Sequence, residues 1–131
     1  MPGIAHTAAE MIGGMSPELK PGLWVFVTVP QRADAERLLP RALASFAEAE
    51  GLSLILPADM AEGQPMRLIT LNVHSALDGV GLTAAVAGAL AAEEIPCNMV
   101  AAFHHDHVFV PAAMAEAALG ILHRLQDQAR A

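Results

Sequence analysis

Three short clusters in this chain carry residue types and spacings suited to chemistry. The first is His104-His105-Asp106-His107, where imidazoles and a carboxylate are good ligands for zinc, nickel or copper. Alternation along a strand sets His105 and His107 on one face and His104 on the other. One chain then offers two or three ligands, with His74 as a further donor from a neighbouring strand, whereas a closed structural zinc site takes four. The competing reading is a hairpin turn in which Asp106 supplies turn chemistry and the histidines sit half exposed at a sheet end. We read the cluster as a turn and assign no metal.

The second cluster is Asp78-Gly79-Val80-Gly81, followed by Leu82 and Thr83. Two glycines let backbone N–H groups approach a carboxylate closely, and a helix N-terminus beyond them carries partial positive charge. Asp78 could then accept an α-ammonium group. The same residues also read as a strand-to-helix turn whose glycines relieve backbone strain, with Thr83 as the cap. The third cluster is Cys97-Asn98, where either side chain could meet a ligand's polar group. Asn98 could equally bond neighbouring backbone, and Cys97 reads as a small hydrophobe because no general base lies at a useful spacing. Glu48, Glu50, Glu93 and Glu94 fall at turns or helix ends and do not form a carboxylate pair flanking a cleft. No P-loop, Rossmann fingerprint, GxSxG elbow or HExxH motif occurs, so no catalytic residue and no cofactor are assigned and the chain is not read as an enzyme.

The elements that must position these clusters follow from the hydrophobic pattern. A strand over Met66–His74 alternates, with Ile69, Leu71 and Val73 on one face and Thr70, Asn72 and His74 on the other. The loop 75–81 leads into an alanine-rich helix from Leu82 to Glu93, then a strand from Ile95 to Phe103. The turn His104-His105-Asp106 returns the chain into His107–Val110, which Pro111 ends. A last helix from Ala112 to about Arg130 lines up Met114, Ala118, Ile121, Leu122 and Leu125 on one stripe. Arg124 and Arg130 near its end favour the helix dipole.

Upstream, residues 5–13 suit a helical turn or two with Met11 and Ile12 as apolar contacts. Pro17 and Lys20-Pro21-Gly22 punctuate a loop. Leu23–Val29 is a strand whose near-continuous apolarity predicts burial on both faces. Residues 31–50 show helical periodicity broken by Pro40, and we prefer a short helix or loop to Leu39 followed by a hairpin of 42–48 and 52–56 turning at Glu50-Gly51. The proline-bounded stretch 57–65 makes the best boundary between two halves. His6 and His123 read as surface residues.

Composition narrows the partners. Hydrophobic residues make up 54% and charged residues 16% of 131 residues, which excludes a disordered chain. With 14 acidic against 7 basic side chains the formal net charge is −7, a field that repels a phosphate backbone, so no nucleic-acid partner is expected. The longest apolar candidate, Val80–Ala92, is interrupted by Thr83 and Gly88 and falls short of the ~18–20 residues of a membrane span. No secretory signal is apparent, and the single cysteine, Cys97, suits a reducing cytoplasm.

At Gly22-Leu23-Trp24-Val25-Phe26, at Phe46–Ile55, at Leu77–Ala84 and at Asn98–Pro111 the chain resembles an ACT domain, the βαββαβ regulatory fold of amino-acid metabolism. More narrowly, it resembles a small stand-alone family of tandem ACT-like proteins related to the regulatory part of aspartate kinases. The resemblance spans nearly the whole chain. It implies an α/β fold (an α+β sandwich) of ferredoxin-like βαββαβ type, with two ACT-like halves whose antiparallel sheets lie side by side. Residues 1–64 would form the shorter, irregular half and lack an evident long second helix; residues 65–131 would form the regular one. The resemblance also implies a ligand at an interface between ACT-like units, touching Asp78, Gly79, Val80, Gly81 and Leu82 with Thr83 at the helix start. Pro96, Cys97, Asn98 and Met99 would form the opposing edge. The expected protein is a non-catalytic regulator or sensor of an amino acid or similar metabolite, and a homodimer, because ACT sheets commonly extend edge to edge. The alternatives are an interaction module without a ligand and a metal-binding protein using His105 and His107.

Overall fold

The computed structural model describes residues 3–5, 7–74 and 77–131. In chain order the elements are α1 (Ala8–Gly13), β1 (Pro17–Leu19), β2 (Trp24–Val29), α2 (Arg32–Leu38), β3 (Ala44–Glu48), β4 (Gly51–Pro57), β5 (Met66–Leu71), α3 (Leu82–Ala92), β6 (Asn98–Ala101), β7 (Asp106–Pro111) and α4 (Ala115–Arg130). Short 3-10 turns at Leu39–Arg41 and Ala112–Met114 lead into β3 and α4. No helix among the described residues is long and apolar enough to cross a membrane.

The chain forms two compact units, one of which is not contiguous in sequence. One joins Met1–Pro21 to Arg67–Ala131, and the other is Gly22–Met66. A division at residues 64 and 65 is the simplest one to read from a proline-bounded linker, but long-range bonds carry the N-terminal segment across it.

In the larger unit, β5-α3-β6-β7-α4 runs in βαββα order, and the sheet order is β1-β5-β7-β6. The edge strand beside β5, the sixth element of a ferredoxin-like unit, is therefore supplied from upstream by β1. Its antiparallel register sets Pro17 against Leu71, Glu18 against Thr70 and Leu19 against Ile69. Asn72 fixes that register. Its backbone N–H donates to the Met15 carbonyl, and its Nδ2 donates to the Ser16 carbonyl at 3.2 Å and to Glu18 Oε1 at 3.1 Å. Ser16 adopts a left-handed φ of +39° to make this corner. The Asn72 bond, and after it the charge of Lys20 at 3.4 Å, holds the Glu18 carboxyl below its ordinary value.

The core of this unit lies between one sheet face and three helices. Ile69, Leu71, Val108 and Val110 meet Leu82, Val86 and Leu90 of α3 and Ala118, Ile121 and Leu122 of α4. Met11 of α1 and Met15 are buried in the same cluster, at 1% and 0% exposure, so the N-terminal segment is part of this core. Thr7 starts α1 through a reciprocal capping box with Glu10. At the other end of α1, buried Gln126 of α4 donates Nε2–H to the Gly13 carbonyl at 2.9 Å. That bond satisfies a carbonyl that helix termination leaves without an intrahelical partner.

Three sequence expectations change here. The strand at Met66 ends at Leu71, because Asn72 turns its backbone to Met15. The strand expected from Ile95 is confined to Asn98–Ala101, and Ile95 packs into the core from the preceding loop. Met114 is 38% exposed; the buried stripe of α4 runs through Ala115, Ala118, Ile121, Leu122 and Gln126 instead.

The smaller unit is β2, α2 and the hairpin β3–β4, with β4 between β2 and β3. The short helix followed by a hairpin is thus observed, Pro40 falling in the 3-10 turn after α2. Val25, Val29, Leu54 and Leu56 pack with Ala35 and Leu38 of α2 on one face. Burial of β2 on both faces is not observed: Phe26 is 45% exposed, since α2 covers only the Val25–Val29 side. Residues 58–65 form turns where a regular βαββαβ unit has its second helix.

Removing the Gln126 amide by Gln126→Ala leaves the Gly13 carbonyl unsatisfied beside a buried gap. The expected loss is about 1–3 kcal/mol, read as a lower urea midpoint with an unchanged m-value. An unchanged midpoint would contradict the role given to this bond.

Candidate functional site

A cavity of about 130 Å³ opens in the larger unit where three segments meet. Its walls are Met11 of α1, Leu77, Gly79, Gly81, Leu82 and Thr83 at the entry to α3, and Ala101, Ala102, His105 and Asp106 at the β6–β7 turn. Gly81 is the hinge of the first wall. It is the N-cap of α3 at φ +118°, and a Cβ there would meet the Ala8 Cβ at 2.8 Å. Only glycine permits both that left-handed turn and the close passage of α1.

The N-cap of α3 is Gly81, which offers no side chain, so Thr83 does not hold the capping position expected of it. The first N–H groups of the helix keep their partial positive charge at the cavity. The opposite wall is set by hairpin geometry, with Asn98 paired to Phe109, Ala101 paired to Asp106, and the Ala102 N–H bonded to the His105 carbonyl at 3.0 Å.

Of the residues expected to bind a ligand, Gly79, Gly81, Leu82 and Thr83 line this cavity. Asp78 and Val80 are exposed and do not line it, Val80 at 80%. Cys97, Asn98 and Met99 also lie off its walls: Cys97 and Met99 pack on the core, and Asn98 is exposed at the start of β6. Burial pushes the Cys97 thiol above its ordinary value, which keeps it protonated and a poor nucleophile. His6, Ser75 and Ala76 lie outside the described residues. Met11 and the pair His105-Asp106 are site residues that a local reading of the glycine loop misses. A turn is found there, but it falls at 102–105, and Asp106, expected as a turn residue, is the first residue of β7, paired with Ala101; nothing nearby in sequence says that it faces Gly79–Thr83.

The imidazoles form a chain of ring contacts. Centroids are 5.7 Å apart for His74–His104, 6.3 Å for His104–His105 and 6.4 Å for His105–His107. Phe103 joins at 5.0 Å from His104. Among the described residues no group of three or more His, Cys, Asp or Glu side chains is arranged to hold a metal ion. His107 is anchored inward, with Nδ1 3.0 Å from the hydroxyl of Thr70, which is 3% exposed. Its pKa is lowered chiefly by burial and then by the neighbouring charge of His105, with Asp106 acting in the opposite direction.

ACT domain models match residues 6–70 and residues 65–124, which together span most of the chain. A protein of unknown function from Vibrio cholerae, described as a possible transport protein, is 41% identical; the match covers 88% of this chain and 92% of that one, with a TM-score of 0.76. This chain belongs to the ACT domain family. Two further solved structures share the ACT-type fold at low identity. A protein from Agrobacterium tumefaciens is 16% identical over 84% of this chain and 87% of its own, with a TM-score of 0.65. The ligand-free regulatory subunit of aspartate kinase from Thermus thermophilus is 12% identical over 86% of this chain and 97% of its own, with a TM-score of 0.63. No curated protein matches this sequence.

The lowered pKa of His107 means that the fold favours its neutral form. The stability linked to that preference is fully present above the unfolded value, about 6.5, and is lost as pH falls through the folded value. His107→Asn keeps a hydrogen-bonding group near Thr70 but cannot titrate. Wild type is expected to lose stability more steeply than His107→Asn below about pH 6.5, measured by denaturant midpoints across pH; equal slopes would contradict the shift.

Proposed function

We propose that this ACT protein is a non-catalytic regulator that binds a small metabolite of the amino-acid class in the cavity at the start of α3. The observation that carries this reading is the meeting of the glycine-capped start of α3 at Gly81–Thr83 with His105 and Asp106 across one cavity. An amino acid's carboxylate suits the helix N-terminus, and its ammonium group suits the carboxylate side of the opposite wall. Size restricts the ligand: about 130 Å³ lies far below the roughly 300–1,000 Å³ of pockets for drug-sized molecules. The family favours regulation over catalysis, and burial, which raises the pKa of the Cys97 thiol, disfavours the thiolate that a nucleophile needs. In this reading Asp78 stands at the rim, and the ligand acts by linkage, stabilising one arrangement in which two copies pair. The setting is the reducing cytoplasm, in keeping with one unpaired cysteine.

A second reading, an interaction module that needs no ligand, is favoured by the exposed apolar face of the smaller unit, where Phe46 is 72% and Phe26 45% exposed.

Thermal shift against the twenty amino acids separates the two. A bound amino acid at about 100-fold above its Kd adds about 2.7 kcal/mol, enough to raise the melting temperature by roughly 5–10 °C. Ala102→Phe, at an exposed wall position, fills the cavity and is expected to abolish that rise while leaving the ligand-free melting temperature nearly unchanged. A rise that persists in Ala102→Phe, or no rise with any amino acid, would overturn the ligand reading.

A further inference from the structure

An open groove of about 600 Å³ runs along α4 beside the end of α3, and its floor includes Ile95, Met114, Ala117 and Ile121. Glu116, Gly120 and Arg124 also line it. These three are spaced i, i+4 and i+8, so they form a single ridge of the helix about 12 Å long. Glu116 and Arg124 are exposed, and neither has an ion-pair partner among the described residues. At Gly120 the nearest atom to the place a Cβ would occupy is Arg124 Nη1 at 3.7 Å, so among the described residues only this flexible side chain comes within 4 Å of the middle of the ridge.

We propose that this ridge is a contact between two copies of the chain, α4 against α4, antiparallel about a two-fold axis at Gly120. Glu116 and Arg124 lie equally far on either side of Gly120, so the ridge is complementary in charge to a second copy of itself run antiparallel. The two-fold sets Glu116 of each copy beside Arg124 of the other, making the same ion pair twice. Glycine meets glycine at the centre, where backbones approach most closely, and Asp127 falls opposite Ala113. Packing one i±4 ridge against another gives an interaxial angle of about −50° with axes roughly 8–10 Å apart, which aligns the two rows. Met114 of the groove floor, 38% exposed in the single chain, then gains cover. The inference deepens the pairing part of the function proposed above and is independent of its ligand part.

Sedimentation velocity over a concentration series tests it with the full chain. Wild type is expected to dimerise. Arg124→Glu and Glu116→Arg each set like charges together twice and are expected to weaken the dimer at least ~10-fold at low salt. The double variant Glu116→Arg/Arg124→Glu restores opposite charges and is expected to return within about 3-fold of wild type. A wild type that stays monomeric, a dimer unaffected by either single change, or a double variant as weak as the singles would overturn the proposal. The amino-acid thermal shift, repeated on Arg124→Glu, reads the ligand site separately: it is expected to survive loss of the dimer.

Discussion

The seat of the N-terminal segment on the larger unit is the constraint on which the rest of this structure depends. Asn72, just after β5, and Gln126 of α4 each spend a side-chain amide on the backbone of residues 13–16. Met11 and Met15 enter the core beside those two anchors, and Pro17–Leu19 completes the sheet edge beside β5. Burial of two methionine side chains is worth roughly 3–6 kcal/mol as an upper estimate, and the amide bonds add about 1 kcal/mol each. The apolar burial supplies most of the stability, and the directional bonds decide the register.

The candidate site follows from the same seat. Met11 forms one wall of the cavity, and Ala8 passes so close to Gly81 that only glycine fits the N-cap of α3. The N-terminal segment therefore completes the sheet and also closes one side of the place where a small anion-bearing ligand meets the helix N-terminus. A ligand there would touch α1, the α3 entry and the β6–β7 turn together. Such a site couples occupancy to the order of all three.

Much of this was legible in the sequence. Alternation and apolar runs mark β2, β4 and β7, and the Gly79–Gly81 punctuation marks the entry to α3, because those signals are local. The helix-then-hairpin course of residues 31–56 was readable because Pro40 excludes one continuous helix. Other features rest on partners far away in sequence. β1 is three residues long, starts with proline and reads as loop; it becomes a strand only because Asn72 and the Leu68 carbonyl bind its ends. Gln126 reads as a polar residue near a helix end, yet it is buried because the Gly13 carbonyl needs a donor. The wall formed by Ala101–Asp106 depends on where the hairpin points, which no short window encodes. The apolar pattern of β2 likewise overstates its burial, since apolarity says what a face tolerates and Phe26 lies on the face away from α2.

Native-state hydrogen exchange tests the seat of the N-terminal segment most directly. The amides of Lys20, bonded to the Leu68 carbonyl, and Asn72, bonded to the Met15 carbonyl, exist as protected groups only when the segment is docked. They are expected to exchange with the same opening free energy as Val108 and Val110 in the core, as members of one cooperative unit. Exchange of Lys20 and Asn72 like a fraying terminus, near ~0–2 kcal/mol, while Val108 and Val110 stay protected to the global limit, would contradict it.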